Sequence, residues 1–326
     1  MALYGLLFLQ NMINFCWKLL HTGGINTEEF KRDFYKTEHN RHLGIEQLKK
    51  MPWFEFLKKD VERGEVFPAL RYGGDIHFYY QGARICKYTG NMNGAPKATK
   101  SGKPFNPVNQ EAYEEIKRKC RDWAPKASGE ARERAALSRL YSSFSPYVQP
   151  APSMILLDME IGFPRLYNGG KKIHDNIQID LLFLDKSTGT LYFIEAKEAG
   201  DSRIKGKETA SKSFDSSEVA EQLNKYNDNL AKREGNILSA YQNHLNIMRE
   251  IFNCVIYSGE LKLYGYNHDR AKLLIYGKSS SDDLKSRKEI QTIKNELDND
   301  LIVIGDGLEN VDDLPKLITG NSSHNA

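Results

Sequence analysis

Three ionisable residues, Asp180, Glu195 and Lys197, interrupt two otherwise apolar runs in the middle of the chain. The runs are Ile177–Leu184 and Leu191–Ala196, joined by the turn-rich Asp185-Lys186-Ser187-Thr188-Gly189. Each has strand length and is bounded by turn residues, so the two read as adjacent antiparallel strands. Side chains alternate along a strand, which puts Glu195 and Lys197 on one face and Ala196 on the other. Strands this apolar are expected to be buried, and burying bare charge is costly unless the charges pair or bind a metal. Two carboxylates and a lysine on neighbouring strands suit divalent-metal hydrolysis of a phosphodiester. Mg2+ takes oxygen ligands, commonly one or two carboxylates with water and substrate phosphate, and Asp180 and Glu195 would supply such oxygens. The metal would polarise the scissile phosphate and acidify an attacking water. Lys197 would orient that water or stabilise charge developing on the phosphate. A buried Asp/Glu/Lys salt-bridge cluster is the reading without chemistry.

The elements before this pair must position it. Ser128–Phe144 reads as a helix whose apolar stripe is Leu137, Leu140, Tyr141 and Phe144. Extended backwards, the stripe reaches Glu133 and then Glu130, which are either acidic ligands above the core or first-turn residues favoured by the helix dipole. Met154–Phe163 is a third apolar run, a strand ahead of the central pair. Glu160 lies within it and is either a further acidic ligand or a solvent-facing edge residue.

Beyond Lys197 the chain turns basic, with Arg203, Lys205, Lys207 and Lys212. Beside a nuclease centre such a loop would meet a phosphate backbone. Asp215 and Glu218 form a capping box for a helix running to about Lys232. Its face carries Val219, Gln222, Leu223, Tyr226 and Leu230, so the polar ends of Gln222 and Tyr226 project together from an apolar stripe. A further helix is expected over Ile237–Ile251, then strands near Cys254–Tyr257, Leu261–Tyr264 and Lys272–Tyr276. A charged helix at Asp282–Leu297 and a strand at Leu301–Ile304 follow.

The N-terminal part reads as α+β. Met1–Leu20 is apolar but holds Gln10, Asn11, Asn14 and Lys18, which suits a buried or peripheral helix better than a signal peptide or a span. Thr27–Glu62 is helical in pattern. Val66–Tyr72, Asp75–Tyr80 and Ala83–Tyr88 form a three-stranded meander. Thr89–Val108 reads as a linker whose lysines (Lys97, Lys100, Lys103) would face water or touch phosphates, and Gln110–Trp123 as a helix.

The 326 residues are 40% hydrophobic and 27% charged, ordinary for a soluble globular protein, with a net charge of +3 too small to establish nucleic-acid binding alone. Cys16, Cys86, Cys120 and Cys254 form no CxxC pair. A disulfide framework, zinc site or iron–sulfur cluster is therefore not expected, and a reducing, cytoplasmic setting fits. Length suggests two domains, divided as 1–125 (substrate-positioning or partner-binding) and 126–326 (catalytic, with a C-terminal elaboration).

Asp180 with Glu195-Ala196-Lys197, in this order of elements, resembles the PD-(D/E)XK nuclease superfamily. The closest likeness is to its RecB-like branch, which adds a Gln-xxx-Tyr motif on the next helix. Gln222-Leu223-Asn224-Lys225-Tyr226 matches that motif in type, spacing and position. The likeness spans roughly Ser128 to Ile256. It implies an α/β, restriction-endonuclease-like α-β-β-β-α-β core with a mixed central sheet. It further implies a Mg2+-dependent nuclease, with Mn2+ able to substitute, and Gln222 and Tyr226 organising the site and contacting substrate. DNA is the expected partner, with RNA and an inactive DNA- or protein-binding module as alternatives. Assembly as a homodimer or larger and membrane contact by Met1–Leu20 stay open. The chain departs from the family at Ile179, where the name puts Pro, and at Gln178, where Gly is common. The family's upstream ligand falls among Glu133, Glu130, Glu160 and His174. No GxxxxGK[ST] loop is present, so a helicase motor would belong to another chain.

Overall fold

A computed structural model describes residues 29–320 apart from 35–37, 72–73, 90–96, 101–102, 125–129, 165, 169–170, 175–176, 205–217, 265–269 and 309–310. The expectation for Met1–Leu20 and the Asp215 cap lie outside these residues. No helix among the described residues is long and apolar enough to cross a membrane. The molecule is mixed α/β, built on two principal sheets.

The N-terminal region carries α1 (Glu38–Lys49), α2 (Phe54–Glu62) and a sheet of β1 (Val66–Arg71), β2 (Asp75–Tyr80) and β3 (Ala83–Thr89). β4 (Lys97–Lys100) and β5 (Lys103–Pro104) extend that meander to five antiparallel strands. Strand pairing thus replaces the expected linker, because β4 completes the open edge of β3 at Lys87↔Thr99 and Tyr88↔Ala98. α3 (Gln110–Trp123) follows, and the Asn109 side chain caps it by accepting from the Ala112 N–H at 2.9 Å. Residues 29–34 are not helical, although Phe30 and Phe34 are four apart. Both rings are buried from a segment without regular secondary structure, with Phe30 stacked on Phe163 at 4.8 Å and its N–H donated to Asn236 at 2.6 Å.

The expected helix over 128–144 is broken into α4 (Glu130–Leu137) and α5 (Leu140–Phe144). Ser138 Oγ donates back to the Ala135 carbonyl at 2.7 Å, and Arg139 N–H tightens onto Ala136 O. Such back-bonding competes with the regular helix ladder. The second sheet takes β6 (Met154–Phe163), β9 (Ile177–Asp185) and β10 (Thr190–Glu198), while β7 (Leu166–Asn168) and β8 (Lys171–His174) form a separate two-stranded hairpin between β6 and β9. Gly189, at φ +73°, turns β9 into β10. A Cβ there would fall 2.3 Å from the Tyr257 hydroxyl, so both conformation and space demand glycine.

A single 35-residue helix, α6 (Glu218–Phe252), replaces the two expected ones. Its buried stripe runs from Val219 to Phe252 without a break, and Gly235 sits on the exposed side, where it weakens the helix without ending it. Cys254–Tyr257 is not a strand. The next elements are the short β11 (Lys262–Leu263), β12 (Lys272–Tyr276), α7 (Ser281–Lys285), α8 (Lys288–Leu297), β13 (Leu301–Ile304) and α9 (Leu314–Thr319). The expected 282–297 helix is split where Arg287 adopts an extended backbone.

The strand order is β13-β12-β10-β9-β6, with β11 beside the start of β10. β6, β9 and β10 are antiparallel, whereas β10, β12 and β13 are parallel, so the sheet is mixed. Alternation sorts its side chains into two cores. Leu182, Leu184, Phe193, Leu273 and Ile275 pack toward α6, while Leu181, Phe183, Ile194, Ala196 and Leu274 pack toward α5 and α9. The α6-side core continues into Trp53, Leu57, Ile76 and Tyr88 of the N-terminal region.

Candidate active site

The β9–β10 ladder stops at Leu181↔Ile194. Beyond it β10 stays paired with β12 as far as Glu198, while β9 stays with β6. The two strands therefore part, and the carboxylate of Asp180 replaces the missing ladder partner, accepting the Ala196 N–H at 2.8 Å. This splay opens a cleft of about 280 Å3. Asp180 of β9, Glu195 and Lys197 of β10, Gln222 and Tyr226 of α6, Glu133 of α4 and Glu160 of β6 all line it.

Lys197 is at the centre and only 2% exposed. Its Nζ contacts Glu195 Oε1 closely and donates to the Ala196 carbonyl at 2.9 Å. It lies 3.7 Å from Asp180 Oδ2 and 3.8 Å from Glu133 Oε1. Burial favours the neutral amine, but Glu195, Asp180 and Glu133 outweigh it and raise the Lys197 pKa, so the ammonium stays charged. Burial, reinforced by Asp180, pushes Glu195 well above the usual carboxylate range. Burial and Asp180 likewise push Glu133 up to about 7. Asp180 is raised by burial against the pull of Lys197. The Lys197 ammonium thus lies within 4 Å of three carboxylates, which crowd one another around it.

Glu195 Oε2 is buried with no hydrogen-bond partner, a costly state for a carboxylate oxygen. The donor set is all oxygen, matching a hard divalent cation. The orphaned oxygen and the crowding of carboxylates both fit such an ion held by Asp180 and Glu195. Among the described residues, however, no three His, Cys, Asp or Glu side chains converge as a ready-made ion cluster.

Gln222 and Tyr226, one helical turn apart, form the wall on the α6 side. Gln222 Nε2 donates to Glu195 Oε1 at 2.9 Å and contacts the Tyr226 hydroxyl, which donates to the Gln178 carbonyl at 2.6 Å. The relay ties α6 to both parted strands and fixes one oxygen of Glu195. Burial, with Glu195 and Asp180 adding to it, raises the Tyr226 pKa, so the phenol stays protonated.

The upstream candidates fall in different places. Glu133 faces Lys197. Glu160 lines the cleft but pairs with Arg134 at 3.1 Å, and its backbone takes a left-handed φ of +51°, unusual inside a strand. The side chains of Glu130 and His174 lie outside the described ones. Sequence reasoning missed Arg134 and Lys225 as cleft residues. Adjacency to Glu133 was the only available signal for Arg134, and position inside the Gln-xxx-Tyr motif for Lys225. Arg203 also lines the cleft, clamped by Asp201 at 2.6 Å. The remaining basic-loop lysines are not among the described residues.

Comparison with family models, with curated proteins and with solved structures yields no match.

Proposed function

We propose that the chain is a Mg2+-dependent nuclease acting on DNA, with a restriction-endonuclease-like core nearest to the RecB-like branch of the PD-(D/E)XK superfamily. The observation that carries this reading is the convergence of Asp180, Glu195, Lys197, Gln222 and Tyr226, from three elements, on one cleft that also contains an unpartnered Glu195 oxygen. The order α4, β6, β9, β10, α6, β12 supports the helix-strand-strand-strand-helix-strand core, with the β7–β8 hairpin as an insertion. Asp180 and Glu195 would hold the cation, with Glu133 or Glu160 as a further ligand. Mn2+ would substitute.

Bound there, a divalent cation supplies Lewis-acid polarisation of the scissile phosphate and an acidified water. Lys197, kept charged by its carboxylates, donates to the negative charge that grows on the phosphate oxygens. Gln222 holds Glu195 Oε1, which leaves Oε2 for the ion. Arg134 and Lys225 supply positive charge for the neighbouring backbone phosphates. The N-terminal region, residues 1–125, positions substrate or a partner.

The test uses the purified full chain with DNA and RNA side by side, in Mg2+, Mn2+ or EDTA. DNA should be cut in either metal and not in EDTA, and Asp180→Asn or Lys197→Ala should abolish cutting. Preferential cutting of RNA would reassign the substrate. A second reading, an inactive binding module, is favoured by the close Lys197–Glu195 contact, which gives that carboxylate a counter-ion within the chain. Isothermal titration separates the two, since a relic held by salt bridges takes up no Mg2+. Absence of both cleavage and Mg2+ uptake would sink the nuclease assignment.

A further inference from the structure

A second cavity, of about 740 Å3, adjoins α4. That volume is within the roughly 300–1,000 Å3 typical of small-molecule sites. α4 gives Glu133 and Arg134 to the catalytic cleft but Arg132 and Ala135 to this cavity, so the helix is a wall between them. The cavity lies at the carboxyl ends of the parallel strands. Glu198 ends β10, Tyr276 ends β12, and Gly307 lies just past β13. Ligands of open α/β sheets gather at this edge.

Three features give the cavity its chemistry. Tyr141 and Tyr276 line it, are 4% and 5% exposed, and have hydroxyls with no hydrogen-bond partner among the described residues. The rings are packed away while neither hydroxyl is sealed from the cavity, so both are available to donate to or accept from a polar ligand edge. Arg132, Arg139 and Lys278 add positive charge. Arg132 is held by Glu198 and Arg139 by the Gly307 carbonyl, while Lys278 has no partner among the described residues. The other acid on the wall, Glu65, is already taken up by Lys117 and Arg63. Finally, the rim is strained. Asp306, Gly307 and Leu308 have φ of 55°, 65° and 66°, a left-handed turn in which two residues carry side chains. It is pinned by Asp306 N–H on Ser279 O at 3.0 Å and Gly307 N–H on Gly277 O at 2.7 Å. Strain of this kind concentrates at ligand sites.

We propose that this cavity binds a nucleoside phosphate, its base against the tyrosine wall and hydrogen-bonded to the Tyr141 and Tyr276 hydroxyls, its phosphate on Lys278, Arg132 and Arg139. The aromatic wall and open hydroxyls exceed what a bare anion needs, and the three cations exclude a neutral apolar ligand. The inference stands independently of the nuclease reading, since none of these residues lines the catalytic cleft.

Isothermal titration of the full chain in EDTA, with adenosine and cytidine monophosphates, the nucleosides and inorganic phosphate, tests it. A monophosphate should bind about tenfold or more tightly than either its nucleoside or phosphate alone. Tyr276→Phe, which removes only a hydroxyl, should weaken it about threefold to tenfold, and Lys278→Ala about tenfold. Both variants should keep the parent's melting temperature to within a few degrees, so lost binding is not lost folding. No binding at millimolar nucleotide, binding untouched by both substitutions, or phosphate binding as tightly as nucleotide would each overturn the proposal.

Discussion

At the scale of single residues, the cleft is a contest over one ammonium. Gln222 decides part of it, because its amide fixes one oxygen of Glu195 and leaves the other orphaned. Gln222→Ala frees Glu195 to turn and should weaken Mg2+ binding or cleavage by about 10–100-fold, the usual effect of losing a group that orients a ligand. Titration calorimetry and initial cleavage rates read the two separately. Glu133 gives a pH signature. Its carboxyl titrates near 7 in the folded protein and near 4.5 when exposed. Between those values the folded state holds a proton that the unfolded state has released, so metal-free stability falls as pH rises through that window. Thermal melts in EDTA across pH 4.5 to 7 should show this decline, and Glu133→Gln should reduce it to the share of Glu195 and Asp180, whose carboxyls are raised in the same direction. A decline of equal size in the variant would put its origin elsewhere.

At the scale of elements, two glycines make opposite predictions. Gly235 lies on the exposed side of α6, where an added Cβ meets nothing within 4 Å. Gly235→Ala should therefore stabilise the protein by about 1 kcal/mol, the helix-propensity difference, measured by denaturant unfolding. Gly82 turns β2 into β3 at φ +76°, and a Cβ there would lie 2.6 Å from the backbone nitrogen of Ala135 in α4. Gly82→Ala should cost roughly 2 kcal/mol or more, through backbone strain and the close approach together. The clash also displaces the helix that carries Glu133, so Mg2+ affinity should fall with stability. The N-terminal meander thus sets the position of a wall of the cleft through backbone contact.

At the scale of the whole molecule, a buried charge network joins distant parts of the chain. Asp158 of β6 accepts from Arg32 at 3.0 Å and from Tyr241 of α6 at 2.9 Å, and lies 3.4 Å from Arg71 of β1. Burial alone would raise its pKa. Arg32 and Arg71, with His244 and the Tyr241 hydroxyl, more than offset that and hold it below the usual range. The stability it contributes is present above about pH 4 and is lost as pH falls through its lower folded value. Asp158→Asn leaves two guanidiniums without their counter-ion and should cost about 3 kcal/mol. Because this network and the α6-side core both cross from the N-terminal region into the mixed sheet, calorimetry should show one unfolding transition, shifted as a whole by Asp158→Asn. Two separable transitions would contradict that coupling.

Local pattern was enough to determine the strand Met154–Phe163, to place strands over Ile177–Leu184 and Leu191–Ala196 to within two residues of their ends, and to determine the face shared by Glu195 and Lys197 and the pairing of Gln222 with Tyr226. These follow from strand alternation and helical spacing, which act over a few residues. Tertiary structure alone decided that β9 and β10 part at Leu181, since a strand's own sequence does not say where its neighbour leaves it. It also decided that Phe30 and Phe34 are buried from a segment without regular secondary structure, and that α6 runs through Gly235. Glu133 and Glu160 competed, with Glu130 and His174, for one role in the linear chain. Only the fold puts one beside Lys197 and turns the other, on a left-handed backbone, toward Arg134. The reason is physical: charge partners in a buried cleft are chosen by proximity across elements, which sequence spacing does not encode.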